Sequence, residues 1–127
     1  MFAVTSLYVA ILALGAIVLS NIVSAQRGKT GISILHGDDM TLALWMRRHG
    51  NFMETVPLVL LLMALAEARG APVNLLHGMG IVLVLARISH VFGMSVTNSK
   101  HPLRILGGVA TQIVMLAGIG FLLWNFA

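Results

Sequence analysis

Long apolar segments alternate with short polar ones along the whole chain. The apolar segments cover residues 3–25, 41–68, 73–96 and 103–126, and the polar ones are rich in glycine, proline and charged residues. A helix needs roughly 20 mostly apolar residues to cross the ~30 Å hydrocarbon core of a bilayer. The pattern therefore predicts an all-α integral membrane protein, with residues 1–127 forming one domain of four transmembrane helices in an up-down bundle.

The first apolar segment has two interpretations. Val23, Ser24 and Ala25 resemble the small-residue cleavage site of a signal peptide. However, no basic residue precedes the segment, and it is longer than the roughly 7–15 apolar residues of a signal peptide core. We therefore expect it to be retained as the first membrane helix.

The composition supports membrane insertion and indicates an orientation. Hydrophobic residues make up 58% of the chain and charged residues 9%, whereas soluble domains carry about 25% charged residues. The net charge of +4 is spread over the loops and forms no basic patch, so no nucleic-acid partner is predicted. The first and third loops are richer in Lys and Arg than the second, which predicts both on the cytoplasmic side and both termini outside.

A column of polar residues lies at the start of helix two. Arg47, Asn51 and Glu54 are spaced i, i+4 and i+7 and so share one helix face. The uninterrupted apolar part of this helix, residues 55–66, covers only about 18 Å, so the column must lie within the membrane slab. Arg87 and His90 of helix three are expected at a similar depth, near the cytoplasmic face. Charged groups at such depth are costly and usually functional.

These residues leave several chemistries to separate. A buried salt bridge between Glu54 and Arg87 is the expected structural use of two of them, and the remaining cations and amide suit a small anionic ligand. No two histidines have the helical spacing of a metal site, so no metal is predicted. No serine has a partnering histidine and acid at a hydrolytic spacing. The chain also has no cysteine, so any thiol must come from a ligand.

The helix-two motif resembles that of the MAPEG family, the membrane-associated proteins in eicosanoid and glutathione metabolism. Arg47, Asn51, Glu54 and Pro57 match it position by position, at the start of the second of four spans. The similarity covers nearly the whole chain and is greatest to the branch of prostaglandin E synthase and microsomal glutathione transferase, as a bacterial-type member. Further matching segments are Leu35-His36-Gly37-Asp38-Asp39, Arg87 with His90, and Pro102-Leu103-Arg104.

The resemblance implies a homotrimer that binds glutathione as a co-substrate, without metal, in a cytoplasm-facing pocket between subunits. Arg47 would bind a glutathione carboxylate, Asn51 its amide or backbone, and Glu54 its ammonium group. Arg104 is the implied catalytic residue, because a nearby guanidinium lowers the pKa of a thiol and the thiolate is the nucleophile. The implied glutathione-binding residues are Arg27, Arg47, Asn51, Glu54, Arg87 and His90.

Two positions depart from the family pattern. Met94 stands where catalytic members tend to have tyrosine, and Thr55 follows the glutamate where some members have tyrosine. The resulting prediction is a glutathione transferase or peroxidase of a bacterial inner membrane, surrounded by lipids and acting on hydrophobic small molecules. One alternative is a non-catalytic binding or scaffold protein of the same fold that binds lipid or glutathione. The other is a small channel or transporter that uses Glu54 and His90 as a proton relay.

Overall fold

The computed structural model describes residues 1–126 and consists of four long helices. They are α1 (Ala3–Thr30), α2 (Met40–Ala68), α3 (Val73–Gly93) and α4 (Pro102–Trp124). All four are long and apolar enough to cross a membrane, which confirms the predicted all-helical architecture. The helices differ most from the predicted spans at the ends of α1, which continues to Thr30 rather than residue 25, and of α3, which ends at Gly93 rather than residue 96.

The helices pack as a bundle in which α1 and α4 each contact both α2 and α3. Its centre is a cluster of buried side chains that includes Leu12, Phe52, Val59 and Leu83. Large apolar side chains also cover the outside of all four helices. Helices that are apolar all round belong in a membrane rather than in water. One end of the bundle carries residues 31–39 and 94–101 and is called the loop-one end; the other is called the Glu67 end.

Glycines let α4 approach its neighbours at two places. A Cβ atom on Gly107 would overlap the backbone of α3 at His90, and one on Gly118 would crowd side chains of α2 and α3. Gly108 and Gly120 lie one and two residues from these positions on the same helix. Within the single chain, however, a Cβ there would meet nothing closer than 4.0 Å. Close packing therefore uses one glycine of each pair.

A carboxylate of α2 caps the first turn of α1 at the Glu67 end. The backbone N–H groups of Val4 and Thr5 donate to Glu67 Oε1 and Oε2 over 2.9 and 2.8 Å. The first N–H groups of a helix have no partner within the helix, and a negative charge there is favourable. Glu67 therefore joins the beginning of α1 to the end of α2.

Tyr8 joins α1 to α3 at the same end. Its hydroxyl lies 2.8 Å from Nδ1 of His77, and its ring occupies space that a Cβ atom on Gly80 would fill. The Tyr8 side chain is 4% exposed. The only tyrosine of the chain is therefore a contact between helices and lies away from the predicted glutathione residues.

Asp39 caps α2 at the loop-one end. Its carboxylate accepts hydrogen bonds from the Leu42 N–H over 2.9 Å and from Gln26 Nε2 over 3.1 Å. The bond from Leu42, followed by that from Gln26, lowers the pKa of the Asp39 carboxyl below its ordinary value. A lowered pKa contributes stability above the ordinary pKa, and that contribution is lost as the pH falls.

Replacing Asp39 by alanine is expected to lower the Tm in detergent by about 3–5 °C at pH 7, the usual effect of losing a helix cap. The difference from the wild type should shrink as the pH falls below the ordinary Asp pKa of about 4, because the unfolded carboxyl then takes up a proton before the folded one, whose pKa is lower. Circular dichroism melts at both pH values test this, with Asp38→Ala as the matched control. An equal loss of Tm in both variants would contradict the assignment of the cap.

Candidate functional site

The centre of the site is the buried guanidinium of Arg87, which is 2% exposed. Its Nη2 donates to Asn51 Oδ1 over 2.5 Å and lies 3.4 Å from His90 Nδ1. Its Nη1 donates to Thr111 Oγ1 over 3.4 Å, and its Nε is buried without a partner within residues 1–126. None of these partners carries a negative charge, so Arg87 is a buried cation in need of an anion.

Three helices hold Arg87 in place. Arg87 and His90 are three residues apart on α3 and face inward, and the ring of Phe52 lies 6.0 Å from the guanidinium. Thr111 of α4 donates its own proton to the Gly107 carbonyl over 2.7 Å, which leaves its oxygen free to accept from Arg87. The sequence interpretation missed Thr111, although a threonine within a long apolar helix marks a position that needs a polar partner.

Glu54 pairs with Arg47 of its own helix. The two Nη–Oε distances are 3.3 and 3.4 Å, and both side chains are more than half exposed. The predicted salt bridge between Glu54 and Arg87 was therefore wrong. Gly50 lies between the partners along the helix and leaves room for the Arg47 side chain, while Arg87 faces inward and bonds Asn51 instead.

Two layers of polar groups lie on this side of α2, formed by Asn51 with Arg87 and by Arg47 with Glu54. Asn51 is half-buried and joins Arg87 inside the bundle, whereas the Arg47–Glu54 pair lies outside it. An ion pair facing hydrocarbon is unfavourable. This face of α2 is therefore exposed in the single chain, and a polar neighbour covering it would be stabilising.

Arg27 and Arg104 lie at the loop-one end and are used differently. Arg27 Nη1 donates to the carbonyls of Ile32 and Leu35 over 3.1 and 2.9 Å, so in the single chain it holds the first loop. The backbone of Arg104 packs against Gly93, where a Cβ atom would overlap it. The half-buried Arg104 side chain makes no hydrogen bond to the described part of the chain. Arg104 is thus available to a ligand, and Arg27 is engaged.

Met94 is a packing residue at the end of α3. Its side chain is 8% exposed, and its carbonyl accepts a hydrogen bond from Arg48 Nη2 over 2.9 Å. The Arg48 guanidinium also lies 4.3 Å from the centre of the Trp45 ring. The position where a tyrosine was expected therefore holds a buried thioether, and an arginine that the motif did not single out ties α2 to the end of α3.

A groove of about 340 Å³ opens between α1 and α3 in the half of the bundle towards loop one. Its walls are apolar, and Phe52 and Trp45 of α2 form its floor. Arg87 is the charged residue among those that line it. Of the residues predicted from the motif, Arg87 is thus shared between the polar site and this groove. Binding sites for small molecules typically combine such apolar walls with a few polar groups. The other lining residues are Ile11, Leu12, Gly15, Val18, Leu19, Ile22, Val84, Ile88, Val91 and Phe92.

The sequence is similar to those of known membrane proteins. The chain is 40% identical over 48 residues to the inner membrane protein YecN of Escherichia coli strain K12, a match covering 38% of the chain and 37% of that protein. The protein of the same name from Escherichia coli O6:H1 matches to the same extent. The chain thus aligns with little more than a third of the curated relatives' length, and no solved structure matches it. The model of the MAPEG family, in contrast, matches residues 5–124, nearly the full length, and the chain belongs to that family.

Proposed function

We propose that the protein binds glutathione within the membrane and uses it to modify hydrophobic electrophiles, as a transferase or peroxidase. Membership of the MAPEG family supports a glutathione-related membrane role at the level of the family. The observation that carries the proposal for this chain is the buried Arg87 guanidinium, which bonds neutral partners only and lies one layer beneath the Arg47–Glu54 pair.

Glutathione matches this set of groups in charge. It carries two carboxylates, one ammonium group and a thiol, so it needs cations, one anion and a group that stabilises the thiolate. Arg47 and Arg87 supply the cations, Glu54 the anion and Asn51 an amide. Arg104 remains for the thiolate, since a guanidinium favours the ionised thiol. The thiolate then attacks the electrophilic carbon, and the leaving group departs with its electron pair.

The open face of α2 supports a homotrimer with the site between subunits. Arg47 and Glu54 are 58% and 59% exposed, and both lie in a helix that crosses the membrane. A neighbouring subunit would cover them and turn an exposed pair into one wall of an enclosed site. Arg27 of an adjacent subunit could then exchange its bonds to the first loop for a ligand carboxylate.

The same proposal includes the location. The similarity to YecN, an inner membrane protein, supports a bacterial inner membrane. The distribution of basic residues supports a cytoplasmic loop-one end, where glutathione would enter directly from the cytosol.

Calorimetric titration of the detergent-solubilised protein with glutathione tests binding. We expect saturable heat at or below millimolar glutathione, and about 10-fold weaker binding in Glu54→Gln, which loses a charge-assisted hydrogen bond to the ammonium group. Asp38→Asn removes an exposed carboxylate of the first loop and is the matched control. Absence of heat at millimolar glutathione in the folded wild type would overturn the proposal.

A protein of this family that binds without turnover is the second candidate. The buried Met94 favours it, because no hydroxyl is available at the position where catalytic members tend to have tyrosine. Binding of glutathione without conjugation above the spontaneous rate would select this alternative.

A further inference from the structure

We infer that the groove between α1 and α3 holds one acyl chain of a membrane phospholipid, with the polar end of the lipid at the loop-one end of the bundle. The groove and the proposed glutathione site share Arg87. The assignment itself concerns a resident lipid and not a substrate, and it is tested without glutathione.

The length of the groove matches one leaflet. Its lining on α1 extends from Ile11 to Ile22, and eleven residues of helix correspond to about 16 Å. This is close to half of the ~30 Å hydrocarbon core. At the Glu67 end the groove is closed, because Tyr8 contacts His77 across α1 and α3. The groove is therefore an elongated half-channel that starts at one membrane surface and stops near the middle.

The groove cannot stay empty in a bilayer at low cost. Phe52 of α2, which is 4% exposed, forms its floor. The exposed side chains of Val18 in α1 and Ile88 in α3 lie on its two walls. Apolar walls facing a void lose their dispersion contacts on that side. A lipid chain of the surrounding leaflet is the apolar molecule present at the highest concentration, and it can enter sideways.

Two arginines at or next to the groove favour an occupant with a polar end. The Nε atoms of Arg48 and Arg87 are both buried without a hydrogen-bond partner within residues 1–126. Arg87 lines the groove, and Arg48 lies against Trp45, which lines it too. A phospholipid offers an anionic phosphate and ester carbonyls as acceptors near the membrane surface, where Trp and Arg are common anchors. Charge complementarity thus favours a phospholipid, and an anionic one most.

Native mass spectrometry of the full-length protein tests this assignment. The protein is released from nanodiscs of mixed phosphatidylglycerol and phosphatidylcholine, and the phospholipid retained per protomer is counted during stepwise delipidation. We expect about one retained phospholipid, predominantly phosphatidylglycerol. Ile88→Trp, which fills the groove with a larger side chain, should reduce its retention at least fivefold. Ile113→Trp makes the same change at an exposed position of α4 outside the groove and should leave retention unchanged.

Two results would overturn the assignment. Equal retention in the wild type and Ile88→Trp would show that the bound lipid lies elsewhere. A change of oligomeric state in Ile88→Trp, measured by light scattering and not seen in Ile113→Trp, would assign the groove to a second copy of the chain. Circular dichroism confirms that both variants are folded. Glutathione binding by the wild type is measured separately by calorimetry. If the protein does not bind glutathione, the lipid measurement is unaffected.

Discussion

Replacing Arg104 by alanine is expected to lower the rate of glutathione conjugation about 100-fold or more, with little change in glutathione binding. The Arg104 side chain is half-buried and makes no hydrogen bond within the described residues, so we expect its removal to leave the fold intact. Losing one group that stabilises a developing or reacting anion typically costs a factor of 10²–10³. The measurement is the initial rate with a chloronitrobenzene-type electrophile, corrected for the spontaneous reaction.

The pH dependence separates a role in thiolate formation from a structural role. If Arg104 stabilises the thiolate, the apparent pKa for the wild-type rate lies below that of a free thiol, about 8.5. In Arg104→Ala it should rise towards that value, so the variant recovers part of its rate at high pH. Arg104→Lys should keep an intermediate rate. A parallel loss of binding and rate with an unchanged pH profile would contradict the assignment.

Replacing Gly107 by alanine is expected to lower the Tm by about 10 °C or more, which corresponds to several kcal/mol for a chain of this size. The added methyl would overlap the Ala86 carbonyl and the His90 backbone. Backbone atoms cannot move aside as flexible side chains do, so α3 and α4 must separate. Their separation would also move Thr111 away from Arg87. Thermal unfolding followed by circular dichroism in detergent measures the loss.

Gly108 provides a control at the adjacent position. An added Cβ there would lie 4.0 Å from its nearest neighbour, His90 Cδ2, which is ordinary contact. Gly108→Ala should therefore raise stability slightly, because alanine favours a helix over glycine by up to about 1 kcal/mol. Similar losses of Tm in Gly107→Ala and Gly108→Ala would show that the packing of α4 on α3 does not depend on Gly107, the glycine that faces α3.

The sequence was sufficient for the architecture and for part of the site. Span length and the polar breaks predict four helices because both depend on local composition, and the motif at Arg47, Asn51 and Glu54 indicates the family. The contact between Asn51 and Arg87 was anticipated only as similar depth in the membrane. Whether Arg104, Arg27 and the others bind glutathione stays a prediction.

The contacts that could not be predicted from the sequence depend on the direction in which each side chain points from its helix. Glu54 was expected to pair with Arg87, but the rotation of α2 leaves Glu54 outside and Asn51 inside. Gly107 and Gly108 are equivalent in sequence, and only the packing of α4 on α3 distinguishes them. Thr111 contacts Arg87 and Tyr8 contacts His77, each across two mostly apolar helices. The sequence does not show which residue of another helix is the partner.

The carboxylate of Glu67 has a consequence for the biosynthesis of the protein. The N–H groups of Val4 and Thr5 emerge from the ribosome more than sixty residues before Glu67, the acceptor that satisfies them. Until α2 has been translated, the first turn of α1 must rely on water or the insertion machinery for its hydrogen bonds. We therefore expect α1 and α2 to become stable in the membrane together, as a hairpin, rather than one helix after the other.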